Sequence, residues 1–254
     1  MSWAQRRKTT YIVSILFVLV VILTIILFAT FNKAPTCFDN VKNQGELGID
    51  CGGPCSILCR AQFIDPLVVW GPRWSKVLSS GTYNFLTYIQ NPNIGEGAYN
   101  APYSFKVYDK DNVLLYQKTG VTYIPPNNNF VIFEDNINLN DKIPVRTEFK
   151  FTGNPSWQKI EDRELDITAI SKNLINEDTK PKLLVTLKNS TLKPIENIES
   201  VAILYDGNNN AIAFSKTKID SINADDTADI VFTWPETFSG KIVRIDIVSK
   251  VLPN

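Results

Sequence analysis

Hydrophobic residues are distributed very unevenly along this chain. Residues 11–31 read YIVSILFVLVVILTIILFATF, a stretch without a charged residue, a glycine or a proline. At about 1.5 Å per residue, a helix of this length spans about 31 Å, which matches the hydrocarbon core of a bilayer at about 30 Å. The pattern therefore predicts a transmembrane helix over residues 11–31.

A cleaved signal peptide is the alternative interpretation, because a short basic segment precedes the apolar run. Signal peptides carry an apolar core of about 7–15 residues followed by a cleavage site with small residues. The run here is longer, and the sequence FATFNK at residues 28–33 offers no such site. We therefore expect a retained anchor.

The basic residues on either side of the run predict its orientation. Arg6, Arg7 and Lys8 lie directly before it, whereas Lys33 stands alone behind it. The positive-inside rule then places residues 1–10 in the cytoplasm as a short tail. Residues 32–254 are predicted to lie outside the cell membrane, in the periplasm or at the cell exterior.

Beyond residue 60 the pattern changes to short β-rich runs separated by Asn, Asp, Gly and Pro. Alternation of apolar and polar residues predicts strands at 83–90, 103–109, 113–117 and 130–134. Residues 165–176 are ambiguous, since they fit a weak helix or an edge strand and loop equally well. The outer region is thus predicted to be mainly β.

Three sequence blocks occur twice, in the same order. Residues 85–93 align with 183–191, residues 105–109 with 202–206, and residues 144–149 with 242–247, each at an offset of 97 or 98. A repeat of about 95–100 residues has the size of a β-sandwich domain. We predict two tandem sandwiches, at 61–155 and 156–254, with the polar segment 153–164 as the linker.

Composition narrows the range of functions. The chain contains 26 basic and 26 acidic side chains and no histidine. Without histidine, Ser-His-Asp and Cys-His catalysis and histidine-ligated metals are excluded. The three basic residues before the apolar run leave 23 basic against 26 acidic residues after position 31. This slight acidity argues against a nucleic-acid partner, which needs a concentrated basic surface.

All four cysteines fall between the predicted helix and the first β-domain, in a predicted stalk at 32–60. They are Cys37, Cys51, Cys55 and Cys59. In an oxidising exterior, clustered cysteines in even number predict two disulfides, and three pairings are possible. A zinc site is the alternative, although its ligands usually form two separate knuckles.

The cysteine segment resembles a short motif of bacterial and archaeal surface proteins, C-x-D-x3-N-x2-E-x-G-x-D-C-G-G-x-C. The resemblance covers about 23 residues and implies a surface protein rather than a reaction. Its polar members carry oxygen ligands of the kind that calcium prefers: Asp39, Asn43, Glu46 and Asp50. Calcium bound in the stalk is one hypothesis. The alternative is that these side chains bond to turn backbone, with Gly52 and Gly53 at positive φ.

Both repeats also resemble the prokaryotic immunoglobulin-like domains named for a Phe-x-Leu-Tyr-Asp signature. The first copy has Phe105, Val107, Tyr108 and Asp109, and the second has Leu204, Tyr205 and Asp206 with Ala202 in place of the phenylalanine. The resemblance implies modules attached to the cell envelope that lack catalytic residues. The tyrosine and aspartate of the motif are then expected to be a packed strand residue and a turn cap.

An aromatic group near the start of the first copy is a candidate interaction surface for sugars or peptides. It comprises Trp70, Trp74, Tyr83 and Tyr88. The alternative is that the two tryptophans pack inside the first sandwich or against the stalk. Trp157 is expected to support the interface between the two domains.

Taken together, these patterns predict a membrane-anchored envelope protein that is not an enzyme and has no cofactor, apart from the hypothetical calcium. Its β-sandwiches are expected to act in interaction, adhesion or scaffolding, with protein partners and possible homo-oligomers through edge strands. The alternatives are an accessory subunit of a transport, secretion or pilus assembly, and a glycan- or peptide-binding module.

Overall fold

The computed structural model describes residues 3–31, 36–78, 80–160 and 166–253. The chain divides into two compact units, Met1–Cys55 and Ser56–Asn254. Lys33, used above for the orientation, and residues 161–165 of the predicted linker lie outside the described residues.

The first unit contains a single described helix, α1, at Trp3–Phe31. Its segment Gln5–Phe28 is long and apolar enough to cross a membrane. Within this segment the hydroxyls of Ser14 and Thr24 donate to carbonyls one turn earlier, at 2.9 and 3.0 Å. These bonds satisfy the polar side chains internally, as an apolar surrounding requires.

The second unit begins with a short 3-10 turn at Arg60–Gln62 and continues in thirteen described strands. The strands of its first half are β1 Leu67–Leu78, β2 Thr82–Gln90, β3 Glu96–Tyr108, β4 Leu114–Ile124, β5 Asn129–Asn138, β6 Arg146–Phe151 and β7 Ser156–Lys159. They form two antiparallel sheets, one ordered β1-β2-β5 and one ordered β4-β3-β6, in which β7 also pairs with β3. We call these sheets the first sheet pair.

The strands of the second half are β8 Ile167–Ile175, β9 Lys182–Asn189, β10 Ile195–Tyr205, β11 Ala211–Ile222, β12 Thr227–Thr233 and β13 Arg244–Val251. They form antiparallel sheets ordered β12-β9-β8 and β11-β10-β13, the second sheet pair. This is the strand order of the first pair again. The register repeats too, because Phe105 pairs with Phe149 and Ala202 with Ile247.

The four sheets stack in the order β4-β3-β6, β1-β2-β5, β11-β10-β13 and β12-β9-β8. Four clusters of buried side chains lie between them. Two clusters lie inside the first pair and one inside the second. The fourth, which we call the junction cluster, joins the two pairs. Its buried members are Leu86, Val131, Val201, Ile203, Tyr205, Ala211 and Phe214.

The burial of single strands reflects this stacking. In β9, on an outer sheet, buried and accessible side chains alternate. In β10, on an inner sheet, six consecutive residues from Ser200 to Tyr205 are buried. A strand covered on both faces needs apolar residues without alternation, and this explains the run Val-Ala-Ile-Leu-Tyr at 201–205.

Asp109 and Asp206 cap the turns that follow β3 and β10. The Asp109 carboxylate accepts the backbone N–H groups of Asp111 and Val113, at 2.9 and 2.8 Å. Asp206 accepts those of the residues two and four positions later, at the same distances. Hydrogen bonds from Asn210 lower the pKa of Asp206. Both aspartates therefore cap turns, as expected from the sequence.

Two buried asparagines occupy equivalent positions after β2 and at the end of β9. Asn91 Nδ2 donates to the carbonyls of Glu96 and Pro125, at 2.7 and 2.6 Å. Asn189 Nδ2 donates to three carbonyls, and its Oδ1 accepts the Thr191 N–H. Because Asn189 is fully buried, the Asn-Ser-Thr sequence at 189–191 is a structural feature and not an exposed glycosylation site.

The structure defines the extent of strand β8 and of the first half of the unit. Residues 167–175 of the ambiguous segment are an edge strand, β8. Strand β7 pairs with β3, so the first half includes residues up to Lys159, whereas the boundary predicted from the sequence lies at residue 155. At the start of the unit, Leu58 is buried in a cluster of the first pair.

Candidate functional site

The cysteine segment is fully oxidised. Cys37 forms a disulfide with Cys55, and Cys51 and Cys59 are also disulfide-bonded. The prediction of two disulfides is confirmed, and the sulfurs are not available as thiolates for zinc.

The polar side chains of the segment hold turns in the first unit together. Asp39 Oδ1 accepts the N–H of Val41 at 2.9 Å, and its other oxygen accepts Asn43 Nδ2 at 2.9 Å. Asp50 accepts the backbone N–H groups of Asp39 and Asn40, at 3.0 and 2.9 Å. The hydrogen bond from Asn43 is the main reason why the pKa of Asp39 is lowered.

Glu46 is buried, and its Oε2 accepts the N–H of Asp50 at 3.2 Å. Gly52 and Gly53 take positive φ, of 71° and 60°. These are the contacts expected if the segment is a hydrogen-bonded turn. The Oδ1 atom of Asn43 is buried without a hydrogen-bond partner. Calcium binding stays a prediction, which calorimetric titration of the full chain with millimolar calcium tests.

The four aromatic residues of the predicted interaction surface lie mostly inside the second unit. Trp70 stacks on Tyr88 with ring centroids 5.4 Å apart, and both pack against the junction cluster. Tyr83 is buried in a cluster of the first pair, and Trp74 packs against the same cluster. Tyr83 and Trp74 thus pack within the first pair, whereas Trp70 and Tyr88 pack between the two pairs; an interaction surface at these residues stays a prediction.

Trp157 has a different role from the one expected. It is 2% exposed and stacks on Phe63, with ring centroids 4.5 Å apart, in a cluster that also contains Leu58. The tryptophan thus fixes the segment that precedes β1 onto the first pair, and it does not support the interface between the two pairs.

A buried carboxylate distinguishes the first pair from the second. Glu134 on β5 is 3% exposed; it accepts a hydrogen bond from the Tyr103 hydroxyl at 2.7 Å and forms an ion pair with Lys118. Burial, followed by the bond to Glu134, raises the pKa of Tyr103, and the bond to Glu134 raises the pKa of Lys118. All polar groups of this cluster have partners, so it is a structural cluster within the core.

A cleft with a volume of about 1040 Å³ lies between the two sheet pairs of the second unit. The first pair contributes Tyr99, Asn100, Val121, Thr122, Tyr123, Lys159 and Ile160. The second contributes Lys193, Pro194, Glu196, Val251, Leu252 and Pro253. Open clefts at domain interfaces with a few polar groups are common ligand sites, so we take this cleft as the candidate functional site.

Local geometry explains how the cleft acquires its aromatic wall. Tyr99 and Tyr123, on adjacent strands, stack with ring centroids 5.4 Å apart and an interplanar angle of 24°. Next to Tyr99, Asn100 adopts a positive φ of 52°, at an irregularity in the pairing of β3 with β4. Such bulges redirect side chains, and here the bulge lies next to the tyrosine pair.

The local sequence patterns do not predict this site. Tyr99 and Tyr123 lie 24 residues apart, and nothing in the alternation of either strand shows that the rings meet. Lys193 follows the end of β9 and belongs to the other sheet pair. The one signal in the sequence was the duplication, since it predicts two domains in tandem, between which a cleft can form.

Comparisons with known proteins identify no relative. No protein-family model matches the sequence, and no curated protein matches it. Among solved structures, red sea bream transglutaminase is 11% identical, with 72% of this chain and 30% of that chain covered and a TM-score of 0.22. A β-glucuronidase of glycoside hydrolase family 2 is 11% identical, with 82% and 25% covered and a TM-score of 0.23.

A Bacteroides uniformis β-glucuronidase is 12% identical, with 63% of this chain and 22% of that chain covered and a TM-score of 0.22. This chain thus spans less than a third of the length of each of these proteins. TM-scores this low carry no argument about fold or function.

Proposed function

We propose that this chain is a single-pass membrane protein of the cell envelope whose outer β-region is a non-catalytic interaction or scaffold module. The support for the anchor is helix α1, with an apolar segment of spanning length and Arg6, Arg7 and Lys8 at its start. By the positive-inside rule, residues 32–254 lie outside the cytoplasm. The two disulfides suit an oxidising compartment.

The junction cluster is the observation that supports a rigid module. Each fully buried Val, Ile, Leu or Phe side chain contributes about 1.5–3 kcal/mol. The cluster contains several, including Leu86, Ile203 and Phe214 at 0% exposure, so separation of the two pairs would cost on the order of 10 kcal/mol. Because the two sheet pairs are joined firmly, they offer a ligand or partner one fixed surface and not two independent surfaces.

Each sheet pair is proposed to be an immunoglobulin-like sandwich of the Phe-x-Leu-Tyr-Asp type. The support is the repeated strand order and the shared positions of Tyr108 with Asp109 and of Tyr205 with Asp206. Since both aspartates accept turn N–H groups, they are proposed to be structural and not catalytic.

Labelling with a membrane-impermeant maleimide tests the topology. In intact cells we expect label on an Asn254→Cys variant and none on a Ser2→Cys variant, because only the C-terminus lies outside. Both variants should react after permeabilisation, which is the control for expression. Labelling of Ser2→Cys in intact cells would overturn the orientation.

Co-purification in mild detergent tests the scaffold role. We expect a stoichiometric protein partner with the native chain and its loss with Ile203→Lys, which disrupts the junction. A Lys182→Glu variant, on the exposed face of β9, is the control and should retain the partner. If the Ile203→Lys chain retained the same partner, a role for the rigid two-pair surface would be ruled out.

The accessory-subunit alternative is an outcome of the same experiment, because the partners would then be components of a membrane transport, secretion or pilus assembly. The glycan-binding alternative has a specific observation in its favour, which is the cleft between the sheet pairs.

A further inference from the structure

We propose that the disulfide loop after α1 lies on the outer surface of the same bilayer that the helix spans. The disulfide loop comprises residues 37–55 and is closed by the bond between Cys37 and Cys55. Its four large apolar side chains enter the headgroup region: Phe38, Val41, Leu47 and Ile49. This inference rests on the proposed function, since it requires α1 to be a membrane anchor.

The disulfide loop carries its large apolar side chains on the outside. Their exposed fractions range from 56% at Val41 to 74% at Phe38. The buried residues of the loop are Glu46, Gly52 and Cys55, so none of its large apolar side chains is buried. Single exposed apolar residues are common on protein surfaces. A segment that exposes all of them is typical of a surface that binds a partner or a membrane.

The acidic side chains of the loop are bonded to its own backbone. Asp39 and Asp50 each accept backbone N–H groups of the loop, and Glu46 accepts the N–H of Asp50 at 3.2 Å. Because these carboxylates already have hydrogen-bond donors, they lose less when headgroups replace part of the surrounding water. Lys42 is exposed, and its long side chain can extend an ammonium group to a lipid phosphate.

The short connection to the helix identifies the membrane as the partner of this surface. Helix α1 ends at Phe31, and the loop begins six residues later, at Cys37. An extended chain of six residues reaches about 22 Å at most. The headgroup region alone occupies about 5–8 Å of that distance. The loop is therefore held next to the bilayer at a high effective concentration, so even weak apolar binding suffices. A separate protein would lack this connection.

Fluorescence quenching of the full chain in nanodiscs tests the contact. A single cysteine replaces Phe38 or Ile49 and is labelled with an NBD maleimide, with which the disulfide-bonded cysteines do not react. A nitroxide on the lipid headgroup quenches probes at the membrane surface, and iodide quenches probes in water. We expect lipid quenching at both positions and iodide quenching at least about threefold weaker than at the control, because interfacial apolar side chains lie about 5–10 Å deep.

The control position is Leu192, labelled in a Leu192→Cys variant. Its side chain is 92% exposed, but it follows β9 and lies far along the chain from α1. A probe at this position should be quenched by iodide and not by the lipid nitroxide. The comparison therefore separates the effect of the short connection from the effect of an exposed apolar residue.

A charge at one apolar position tests the strength of the contact. With the probe in a Leu47→Cys variant, Ile49→Asp should lower the ratio of membrane-bound to free loop about tenfold, because the transfer of one Ile side chain is lost. Ile49→Leu should retain the lipid quenching. Ile143→Asp changes an apolar residue that is 69% exposed in the second unit, so it is the matched control and should have no effect. Mass spectrometry after thiol alkylation verifies that each variant has formed its disulfides.

Three results would each overturn the proposal. Equal lipid quenching at Leu192 would indicate unspecific contact with the membrane, and equal iodide quenching at all positions would place the loop in water. Protection from iodide without lipid quenching would indicate that a partner protein or a second copy covers the loop. The maleimide test of topology does not depend on the loop, so failure of this inference and failure of the proposed function are distinguishable.

Discussion

The two sheet pairs share strand order and register, yet their equivalent faces differ in polarity. In the second pair, the outer face of sheet β11-β10-β13 is apolar and packs on the first pair through Val201, Ile203, Phe214 and Val248. The equivalent positions of sheet β4-β3-β6, matched by register, are Ser104, Lys106, Gln117 and Lys150. Gln117 and Lys150 are exposed. Ser104 is buried and Lys106 half-buried, so this face differs from the docked one in polarity more than in exposure.

The opposite face of each pair shows the same contrast. Tyr88 and Val131, cross-strand partners in the first pair, belong to the junction. Their equivalents are Thr186 and Asp229, which are joined by a 2.7 Å hydrogen bond on an accessible surface. In repeat proteins, terminal repeats need a polar outer face for solubility. The free faces of this two-repeat stack are polar in the same way.

The largest effect is expected when the junction receives the lysine that the free face has at the equivalent position, Lys106. Ile203→Lys places a charge at a position with 0% exposure, and an uncompensated buried charge costs about 3–5 kcal/mol. We expect urea unfolding of the full chain in detergent to show that loss or to separate into two transitions, one for each pair.

The reverse exchange, Lys106→Ile, is the matched control and should change the free energy of unfolding by no more than about 0.5 kcal/mol, as is usual for accessible positions. Equal effects of the two substitutions would show that the junction does not hold the pairs together.

The buried asparagines predict a smaller effect that should be similar in both pairs. Asn189→Ala removes the donor to three carbonyls, of which that of Ile222 is buried, and Asn91→Ala removes the donor to two, of which that of Pro125 is buried. We expect losses of about 3 and about 2 kcal/mol in the free energy of unfolding, because an unsatisfied buried group costs about 1–3 kcal/mol and the loops relax in part. Asn208→Ala, in an exposed turn, is the control. Losses below about 0.5 kcal/mol would show that these hydrogen bonds do not stabilise the loops that follow β2 and β9.

The buried carboxylate predicts a difference in pH dependence. Phe232 occupies the position in the second pair that Glu134 has in the first, so only the first pair holds titrating partners there. Folding raises the pKa of both Tyr103 and Lys118 above their unfolded values, near 10.0 and 10.5. The folded state therefore binds these protons more tightly, and stability is fully present below pH 10 and is lost as pH rises above it.

Urea unfolding between about pH 8 and about pH 11 measures this loss. Tyr103→Phe should remove the part that comes from the tyrosine and flatten the decline, whereas Tyr11→Phe, in the helix, should not. A decline of unchanged slope in Tyr103→Phe would assign the alkaline loss to other tyrosines.

Local patterns in the sequence predicted much of this architecture, because strand alternation, disulfide formation and turn capping depend on nearby residues. Asp109 and Asp206 are examples, since each bonds only within its own turn. The duplicated blocks also predicted equivalent strands, such as β3 and β10, on either side of a junction.

Long-range packing was not predictable in the same way. Trp70 and Tyr88 suggested an exposed surface, because a single strand does not show whether its second face is covered. The continuous apolar run at 201–205 indicates that β10 is covered on both faces. It does not indicate which sheet covers each face. The cleft is lined by Tyr99 of one repeat and Lys193 of the other, and no local pattern predicts that they line the same cleft.

The smallest effect concerns one arginine that occurs in both repeats. Arg244 lies over the Tyr205 ring, 3.7 Å from its centroid, and Arg146 lies over the Tyr108 ring at 3.9 Å. Tyr205 is 5% exposed and belongs to the junction cluster, so water screens its contact less than the one on the free face. We expect Arg244→Ala to lower the free energy of unfolding by about 0.5 kcal/mol, and Arg146→Ala by less. Double-mutant cycles with Tyr→Leu at each site measure the two couplings, and a larger coupling at Tyr108 would mean that the junction does not strengthen this contact.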